Sequence, residues 1–177
     1  MATYREKLLE AMNLLAENPN TIFLGQAVKS TGTAIYHTLK HLPEERRLEM
    51  PVAEEMQLGI STGLSLKGFV PVSIYPRWDF LILAANQIVN HLDKMEEMSD
   101  GQFKPKVIIR TCVGSSSPLM PGPQHCQDHT EAFKLMVKNI DVVRLEKASE
   151  ILPAYKKAME SERSTIIVEV PDLYETE

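Results

Sequence analysis

Short apolar runs that do not alternate with polar residues recur along this chain and set the strongest limit on its fold. They are TIFLG (21–25), FVPVSIY (69–75), KVIIRTCV (106–113) and STIIVEV (164–170), and DVVRLE (141–146) is predicted as a further strand. A strand with one face in water alternates apolar with polar residues, whereas a strand covered on both faces stays apolar. The runs therefore predict a mostly parallel sheet with helices on both faces, which is a three-layer α/β/α fold.

Helical patterns fill the intervals between these runs. The first pattern, Leu8, Leu9, Met12 and Leu15, has helical spacing and ends at Asn18-Pro19. Further helices are predicted at 33–41, 54–67, 78–97, 130–138 and 148–160. Ligands in sheets of this kind bind beyond the carboxyl ends of the strands. The candidate binding segments are therefore 25–32, 51–56, 75–80, 113–129 and 145–148.

The composition narrows the class of protein. The chain has 177 residues, of which 44% are hydrophobic and 24% charged, as in a single globular domain with a real core. Its net charge of −5 and the absence of a basic cluster argue against a nucleic-acid partner or an anionic membrane. No apolar run is long enough to span a bilayer. Two cysteines are too few for a disulfide framework, so we predict a cytoplasmic protein with reduced thiols.

The sequence lacks several common catalytic motifs. It contains neither glycine-rich phosphate loop, G-x-G-x-x-G or G-x-x-x-x-G-K-[ST], and no G-x-S-x-G turn. The cluster HCQDH (125–129), with Cys112 upstream, suggests a metal site, but its spacing matches no zinc pattern. A thiol nucleophile at Cys126 is equally disfavoured, because a catalytic base seldom comes from the adjacent residue, here His125. We therefore predict no metal ligands in this chain.

Two glycines lie within the helix predicted at 54–67. Gly59 and Gly63 share one face of that helix, although each glycine in a helix costs roughly 0.5–1 kcal/mol relative to alanine. Either the helix packs tightly on its own sheet, or this face meets another subunit. The helix predicted at 78–97 is apolar nearly all round, which is more than one sheet covers. This pattern favours the subunit interface.

Several short motifs occur in a fixed order and spacing along the chain. They are FLGQAV (23–28), Pro51-Val52-Ala53-Glu54, Gly59, Gly63, Gly68, Pro71, Trp78-Asp79-Phe80, NQIVN (86–90) and PQHCQ (123–127). Together they resemble the pyrimidine-binding domain of thiamine-diphosphate enzymes of the transketolase group, from residue 20 to 172. Within that group the chain most resembles the beta chain of the decarboxylating component of 2-oxo acid (pyruvate) dehydrogenases.

The resemblance implies roles for four residues. Glu54 matches the glutamate that hydrogen-bonds the aminopyrimidine ring and so activates the cofactor ylide. Such a carboxylate is sequestered from water, where proton sharing becomes feasible. Phe80 matches the aromatic residue that stacks on the pyrimidine, His125 matches a proton-transferring loop histidine, and Gln26 lies where the cofactor binds. Glu55 is expected to be an ordinary acid that complements the helix dipole.

Some features depart from the family. Gln26 and Asn86 stand where the dehydrogenase chains carry a glutamate and an aspartate, and the loop from Arg110 to His125 is longer and contains Ser115, Ser116 and Ser117. The substrate therefore need not be that of a 2-oxo acid dehydrogenase.

The domain organisation also differs from that of the whole family. We expect residues 1–177 to form a single pyrimidine-binding domain, without the transketolase C-terminal domain or the diphosphate-binding domain. No Gly-Asp-Gly…Asn metal motif occurs. We therefore expect a separate diphosphate-binding subunit that supplies the Mg²⁺ ligands, in a homodimer or α₂β₂ heterotetramer acting on a ketose or 2-oxo acid.

Three alternatives remain at this point. The first is a beta-type subunit of a 2-oxo acid dehydrogenase without its C-terminal domain. The second is a non-catalytic regulatory paralogue, and the third is an unrelated flavodoxin-like binding domain. The gapless match from residue 51 to 90 disfavours the last. Retention of Glu54, Phe80 and His125 disfavours the regulatory paralogue.

Overall fold

The structure is a computed structural model that describes residues 2–116 and 120–176. Within these residues, six strands form one parallel sheet in the order β2-β1-β3-β4-β6-β5. The strands are β1 (Thr21–Gly25), β2 (Arg47–Glu49), β3 (Val70–Ile74), β4 (Ile108–Cys112), β5 (Asp141–Arg144) and β6 (Thr165–Glu169). The prediction of a parallel sheet from unalternating apolar runs is confirmed.

Helices cover both faces of this sheet. They are α1 (Tyr4–Glu17), α2 (Ala34–His37), α3 (Glu54–Ser65), α4 (Trp78–Leu81), α5 (Met95–Met98), α6 (Thr130–Met136) and α7 (Ala148–Glu160). Helices α1, α2 and α7 pack on one face against a core that includes Phe23 and Ile108. Helices α3, α4 and α6 pack on the other face, against a core that includes Ile109 and Ile166. The three-layer prediction is therefore confirmed. In the described part of the chain, no helix has the length and apolarity needed to cross a membrane.

The single helix predicted at 78–97 is wrong. The segment begins as α4, tightens into a 3₁₀ turn at Ile82–Ala84, widens into a π-helical stretch at Gln87–Leu92 and ends as α5. The wide stretch is closed by the Asp93 N–H, which donates to the Ile88 carbonyl (2.9 Å). These changes of pitch keep Leu81, Ala84, Ile88 and Leu92 buried along one face. The predicted helix at 33–41 is also shorter, because only α2 is helical.

The two helix glycines do not serve packing within the described chain. A Cβ added at Gly59 would meet Gln87 Oε1 at 3.9 Å, and one added at Gly63 would meet nothing within 4 Å. The alternative of tight helix-on-sheet packing is therefore wrong. Nearby apolar side chains are also exposed, with Leu83 61% and Val52 80% accessible.

A fully buried ion pair joins the centre of the sheet to its C-terminal part. Arg110 on β4 donates from Nε and Nη2 to the two carboxylate oxygens of Glu169 on β6, at 2.6 and 2.9 Å. The hydroxyls of Tyr155 and Tyr174 donate to the same carboxylate (2.7 and 2.6 Å). Burial, and then the Glu169 charge, raise the pKa of both phenols well above the usual value, so both remain protonated donors.

A second buried carboxylate ties the end of the π-helical stretch to the segment between α6 and β5. Asp93 Oδ1 accepts hydrogen bonds from the N–H groups of Lys138 (2.9 Å) and Asn139 (2.6 Å), just before β5. Burial alone would raise the pKa of Asp93, but the Lys94 ammonium and these N–H groups outweigh it and hold the pKa below its usual value. Asp93 therefore stabilises the fold in its ionised form.

We expect Asp93→Asn to lower the free energy of unfolding at neutral pH by about 1.5–3 kcal/mol, the range for hydrogen bonds to a charged group. A depressed folded-state pKa gives stability that is fully present above the unfolded value, about 3.9, and is lost as the pH falls through the folded value. Urea unfolding at pH 7 and in acid should therefore show the difference between wild type and variant shrinking in acid. Exposed Asp100→Asn serves as the control and should change little. A difference that persists unchanged in acid would contradict the assignment.

Candidate active site

Four neighbouring strands of the sheet each lead into one of the predicted site residues. In the order β2-β1-β3-β4, the segments after their carboxyl ends carry Glu54, Gln26, Phe80 and His125. Parallel strands present their carboxyl ends at one edge of a sheet, and ligands bind beyond that edge. The fold thus gathers at this edge residues that are up to 99 positions apart in the sequence (125 − 26 = 99).

Glu54 is a buried carboxylate at the first position of α3. Its side chain is 5% exposed, and Oε1 accepts a hydrogen bond from Gln26 Nε2 at 2.9 Å. Within residues 2–116 and 120–176, the other oxygen, Oε2, has no hydrogen-bond partner. The open backbone N–H groups of the first helical turn favour a negative charge here. Among the described residues, Glu54 is thus hydrogen-bonded through one of its two carboxylate oxygens.

The position of Gln26 follows from the glycine before it. Gly25 has φ +147°, and a Cβ there would lie 2.1 Å from the Ile74 carbonyl oxygen. This close approach lets β1 leave the sheet over β3, and the Gln26 N–H then donates to Ile74 O (3.3 Å). On the helix side, Gln57 Nε2 donates to the same carbonyl (2.9 Å), which fixes α3 on β3. The Glu54–Gln26 pair is therefore built on a rigid base.

Phe80 and His125 form a second pair. Their ring centroids are 5.6 Å apart and the rings are nearly perpendicular, at 86°. Neither ring nitrogen of His125 is hydrogen-bonded to any residue that the structure describes. No hydrogen bond or ring contact joins this pair to Glu54 or Gln26 in the same residues. The predicted site residues thus form two pairs on neighbouring strand ends.

The segment Arg77–Phe80 holds the His125 segment in place, which the sequence did not predict. Arg77 Nη1 donates to the His125 carbonyl oxygen at 2.6 Å. Trp78 Nε1 donates to Thr130 Oγ1 at 3.2 Å, and Asp79 Oδ1 accepts from Gln127 Nε2 at 2.9 Å. Such contacts between polar residues some fifty positions apart leave no periodic signal.

The start of the loop after β4 is equally tight. A Cβ added at Gly114 would lie 1.7 Å from the His125 carbonyl oxygen. Ser115 and Ser116 donate their hydroxyls to Asp172, near the C-terminus. Ser117, the third serine of this loop, lies outside the described residues. The loop is therefore fixed at both of its described ends.

A cavity of about 190 Å³ opens beside this loop. Its walls include Thr33, Arg77, Cys112, Ser115 and Tyr174. Burial, and then the negative charge of Glu169, raise the pKa of Cys112 to about 12. Cys112 is therefore a thiol at neutral pH and supplies neither a thiolate nucleophile nor a thiolate ligand.

The side chains of the HCQDH segment (125–129) contact different neighbours. Asp128 accepts from the Thr130 N–H (2.9 Å) and pairs with Arg144 (2.9 Å), while the His129 ring packs edge-on against Trp78. Among the described residues, no group of three or more His, Cys, Asp or Glu side chains is arranged to hold a metal ion.

Glu55 lies outside the two pairs. It is exposed and accepts hydrogen bonds from Asn86 Nδ2 (2.7 Å) and Gln87 Nε2 (3.4 Å). These bonds, Asn86 first, lower the pKa of the Glu55 carboxyl. Its neighbours explain its position without a catalytic role.

Comparisons with known proteins give a consistent answer. Residues 1–176 match the family model described as transketolase, pyrimidine binding domain. The chain is 31% identical over 174 residues to the pyruvate dehydrogenase E1 component subunit beta-4, chloroplastic, of Oryza sativa subsp. japonica, covering 96% of this chain and 42% of that protein. It is 27% identical over 176 residues to the mitochondrial subunit beta of Chaetomium thermophilum, covering 97% and 45%.

A solved structure shares the fold. A chain described as "Split gene transketolase, inactive beta4 tetramer" superposes with a TM-score of 0.69 at 24% identity, over 94% of this chain and 49% of that chain. The present chain spans less than half the length of both relatives named above.

We expect Gly114→Ala to lower the free energy of unfolding by about 1–3 kcal/mol, because the new Cβ must displace the His125 backbone. Thermal and urea unfolding measure this change. Gly63→Ala is the matched control, because a Cβ at Gly63 meets nothing within 4 Å. This substitution should raise the free energy of unfolding by about 0.5–1 kcal/mol, since alanine favours a helix more than glycine does. A Gly114→Ala variant as stable as wild type would show that the loop yields without cost.

Proposed function

Because the chain belongs to the transketolase pyrimidine-binding domain family, we propose that it is the pyrimidine-binding subunit of a split, thiamine-diphosphate-dependent, transketolase-like enzyme. The reaction is transfer of a ketol or acyl group, or decarboxylation of a 2-oxo acid. The observation that carries this proposal is the buried Glu54 carboxylate, with one oxygen bound to Gln26 and the other without a hydrogen-bond partner among the described residues.

The residues at the edge of the sheet fit the pyrimidine half of thiamine diphosphate. A buried acceptor at Glu54 and an aromatic ring at Phe80 suit a flat heterocycle with ring nitrogens. When bound, the cofactor supplies a nucleophilic thiazolium carbon and an electron sink. The described residues contain no cluster for a divalent ion. In this proposal a partner chain holds the diphosphate and Mg²⁺.

Glu54 would hydrogen-bond a ring nitrogen of the aminopyrimidine and could share a proton with it. Gln26 orients the carboxylate through its amide N–H. An amide donates to a carboxylate, whereas a second carboxylate at 2.9 Å would compete for a shared proton. The glutamine therefore keeps Glu54 as the acceptor towards the ring.

Phe80 and His125 act on the other side of the proposed site. Phe80 offers its ring face for stacking on the pyrimidine. His125 has both ring nitrogens free of described protein partners, so it can take or give a proton at the substrate. Its carbonyl is already bound by Arg77, which fixes the loop while the ring stays available.

An exposed apolar face next to Glu54 suits a partner subunit. We call it the α3 face: Val52, Met56, Gly59, Ile60, Gly63, Ile82 and Leu83. Contiguous exposed apolar surface usually marks an interaction site. The glycines leave open space there rather than internal contacts. The proposed assembly is a homodimer or an α₂β₂ heterotetramer that uses this face.

Two rival functions belong to the same fold. The names of the curated relatives favour a beta-type subunit of pyruvate dehydrogenase E1. A non-catalytic regulatory paralogue would need no buried carboxylate with a free oxygen. We therefore prefer the catalytic subunit, with a ketose or 2-oxo acid as substrate. We propose a cytoplasmic location because both cysteines are free thiols. Curated relatives, in contrast, are named as chloroplastic or mitochondrial.

We expect Glu54→Gln to lower turnover in the assembled complex by at least about a hundredfold, the usual worth of an acid–base group. The amide keeps the size of the side chain but cannot share a proton with the ring nitrogen. Steady-state turnover with thiamine diphosphate and Mg²⁺, and unfolding of the variant, measure activity and fold separately. Glu55→Gln is the matched control one residue along and should be mild, because Glu55 is exposed. Near-wild-type turnover in Glu54→Gln would overturn the role.

We expect Gly63→Leu to disrupt assembly and activity, although it removes no catalytic group. The leucine would project from the α3 face into the space where the partner packs. Light scattering of the chain alone and with its partner measures assembly. Lys157→Leu, at an exposed position of α7 on the other face of the sheet, controls for added apolar surface. A fully assembled and active Gly63→Leu complex would place the interface elsewhere.

A further inference from the structure

Each of the four residues Arg77 to Phe80 contacts the segment His125–Thr130, and Arg77 is the one that binds the histidine's own backbone. Its Nη1 lies 2.6 Å from the His125 carbonyl oxygen. A guanidinium donor makes this a charge-assisted bond, which is stronger than one between neutral groups. The bond therefore joins the carboxyl end of β3 to the loop that leaves β4.

The His125 ring receives no orienting hydrogen bond from residues 2–116 and 120–176. A functional histidine is usually oriented by a hydrogen bond at one ring nitrogen. Here no residue in the described parts of the chain binds either nitrogen. The edge contact with Phe80, at 5.6 Å between ring centroids, is its described ring contact. The ring position thus depends on where the backbone of His125 lies.

The backbone carbonyl of His125 makes two close contacts. Gly114 packs so closely that a Cβ would lie 1.7 Å from the His125 carbonyl oxygen. Arg77 approaches the same oxygen as a donor. The His125 carbonyl therefore cannot move closer to Gly114, and the hydrogen bond opposes its movement away from Arg77.

We propose that Arg77 is the positioning residue for His125: its guanidinium holds the His125 carbonyl so that the imidazole lies against Phe80 with both nitrogens free for proton transfer. The proton-transfer part of this inference rests on the proposed function. Arginine suits the task because it keeps its charge and offers several donors in a fixed plane. Arg77 also lines the cavity beside the loop, together with Cys112 and Ser115.

The first test needs no enzymatic activity. In the full chain, the imidazole C–H resonances of His125 are assigned by their loss in His125→Asn. Arg77→Gln should shift these resonances, because the imidazole would no longer lie against the Phe80 ring. Arg163→Gln is the matched control, since Arg163 also donates to backbone carbonyls (Lys138 and Asn139), before β5 at the opposite edge of the sheet. Unchanged His125 resonances in a folded Arg77→Gln chain would overturn the proposal.

The second test uses the assembled complex. Arg77→Gln should lower kcat by about tenfold to a hundredfold, the cost of a small misplacement, with a smaller change in KM. In a His125→Asn background it should cause no further loss, because residues that act through one another are not additive. Arg77→Lys keeps a charged donor and should recover part of kcat. If the losses in kcat from Arg77→Gln and His125→Asn multiply in the double variant, or if Arg77→Gln changes KM alone, the positioning role is wrong.

The two tests separate this inference from the proposed function. If the wild-type complex shows no thiamine-diphosphate-dependent turnover, the proposed function fails. The resonances of His125 still decide whether Arg77 holds the loop.

Discussion

The buried pairing of Arg110 with Glu169 is the interaction on which the rest of this structure depends. Both side chains are fully buried, and two charges removed from water carry a large desolvation cost. The two parallel N–H···O bonds and the hydroxyls of Tyr155 and Tyr174 offset this cost. Loss of one partner would leave a buried charge unpaired, which is far more damaging than loss of an exposed pair. The pair therefore fixes β4 against β6, α7 and the C-terminal segment.

The segments of the candidate site begin next to this ion pair. The Arg110 carbonyl accepts a hydrogen bond from the Tyr75 N–H (2.9 Å). The end of β3 is therefore bound to the same residue that forms the buried ion pair. Two residues further along β4, the Cys112 thiol donates to the Pro76 carbonyl. The Arg77–Phe80 segment and the His125 loop thus start from neighbouring points on a fixed strand pair. Loop residues placed on a rigid base are what a proton-transfer site needs.

The sequence predicted the sheet because buried parallel strands are apolar throughout, and it placed the strand ends after which the candidate site residues lie. It placed the segment 51–56 after a strand but did not delimit β2, because Arg47–Glu49 is a short edge strand with two charged residues and no apolar run. It missed the breaks after α4 because a segment that is apolar all round carries no information about pitch. Arg110 and Glu169 did leave a signal: each is a charged residue inside an otherwise apolar strand, and the two charges are opposite. The Arg77–His125 bond left none, because a donor to a backbone carbonyl does not constrain the partner's residue type.

The central claim, that Glu54 activates a bound thiamine diphosphate, is tested most directly by hydrogen exchange at the cofactor itself. In the assembled complex, the thiazolium C2 proton is exchanged for deuterium, quenched in acid and quantified by NMR. We expect fast exchange for wild type and for Glu55→Gln, and exchange close to the rate of the free cofactor for Glu54→Gln. Equal exchange in wild type and Glu54→Gln would contradict the role of this carboxylate.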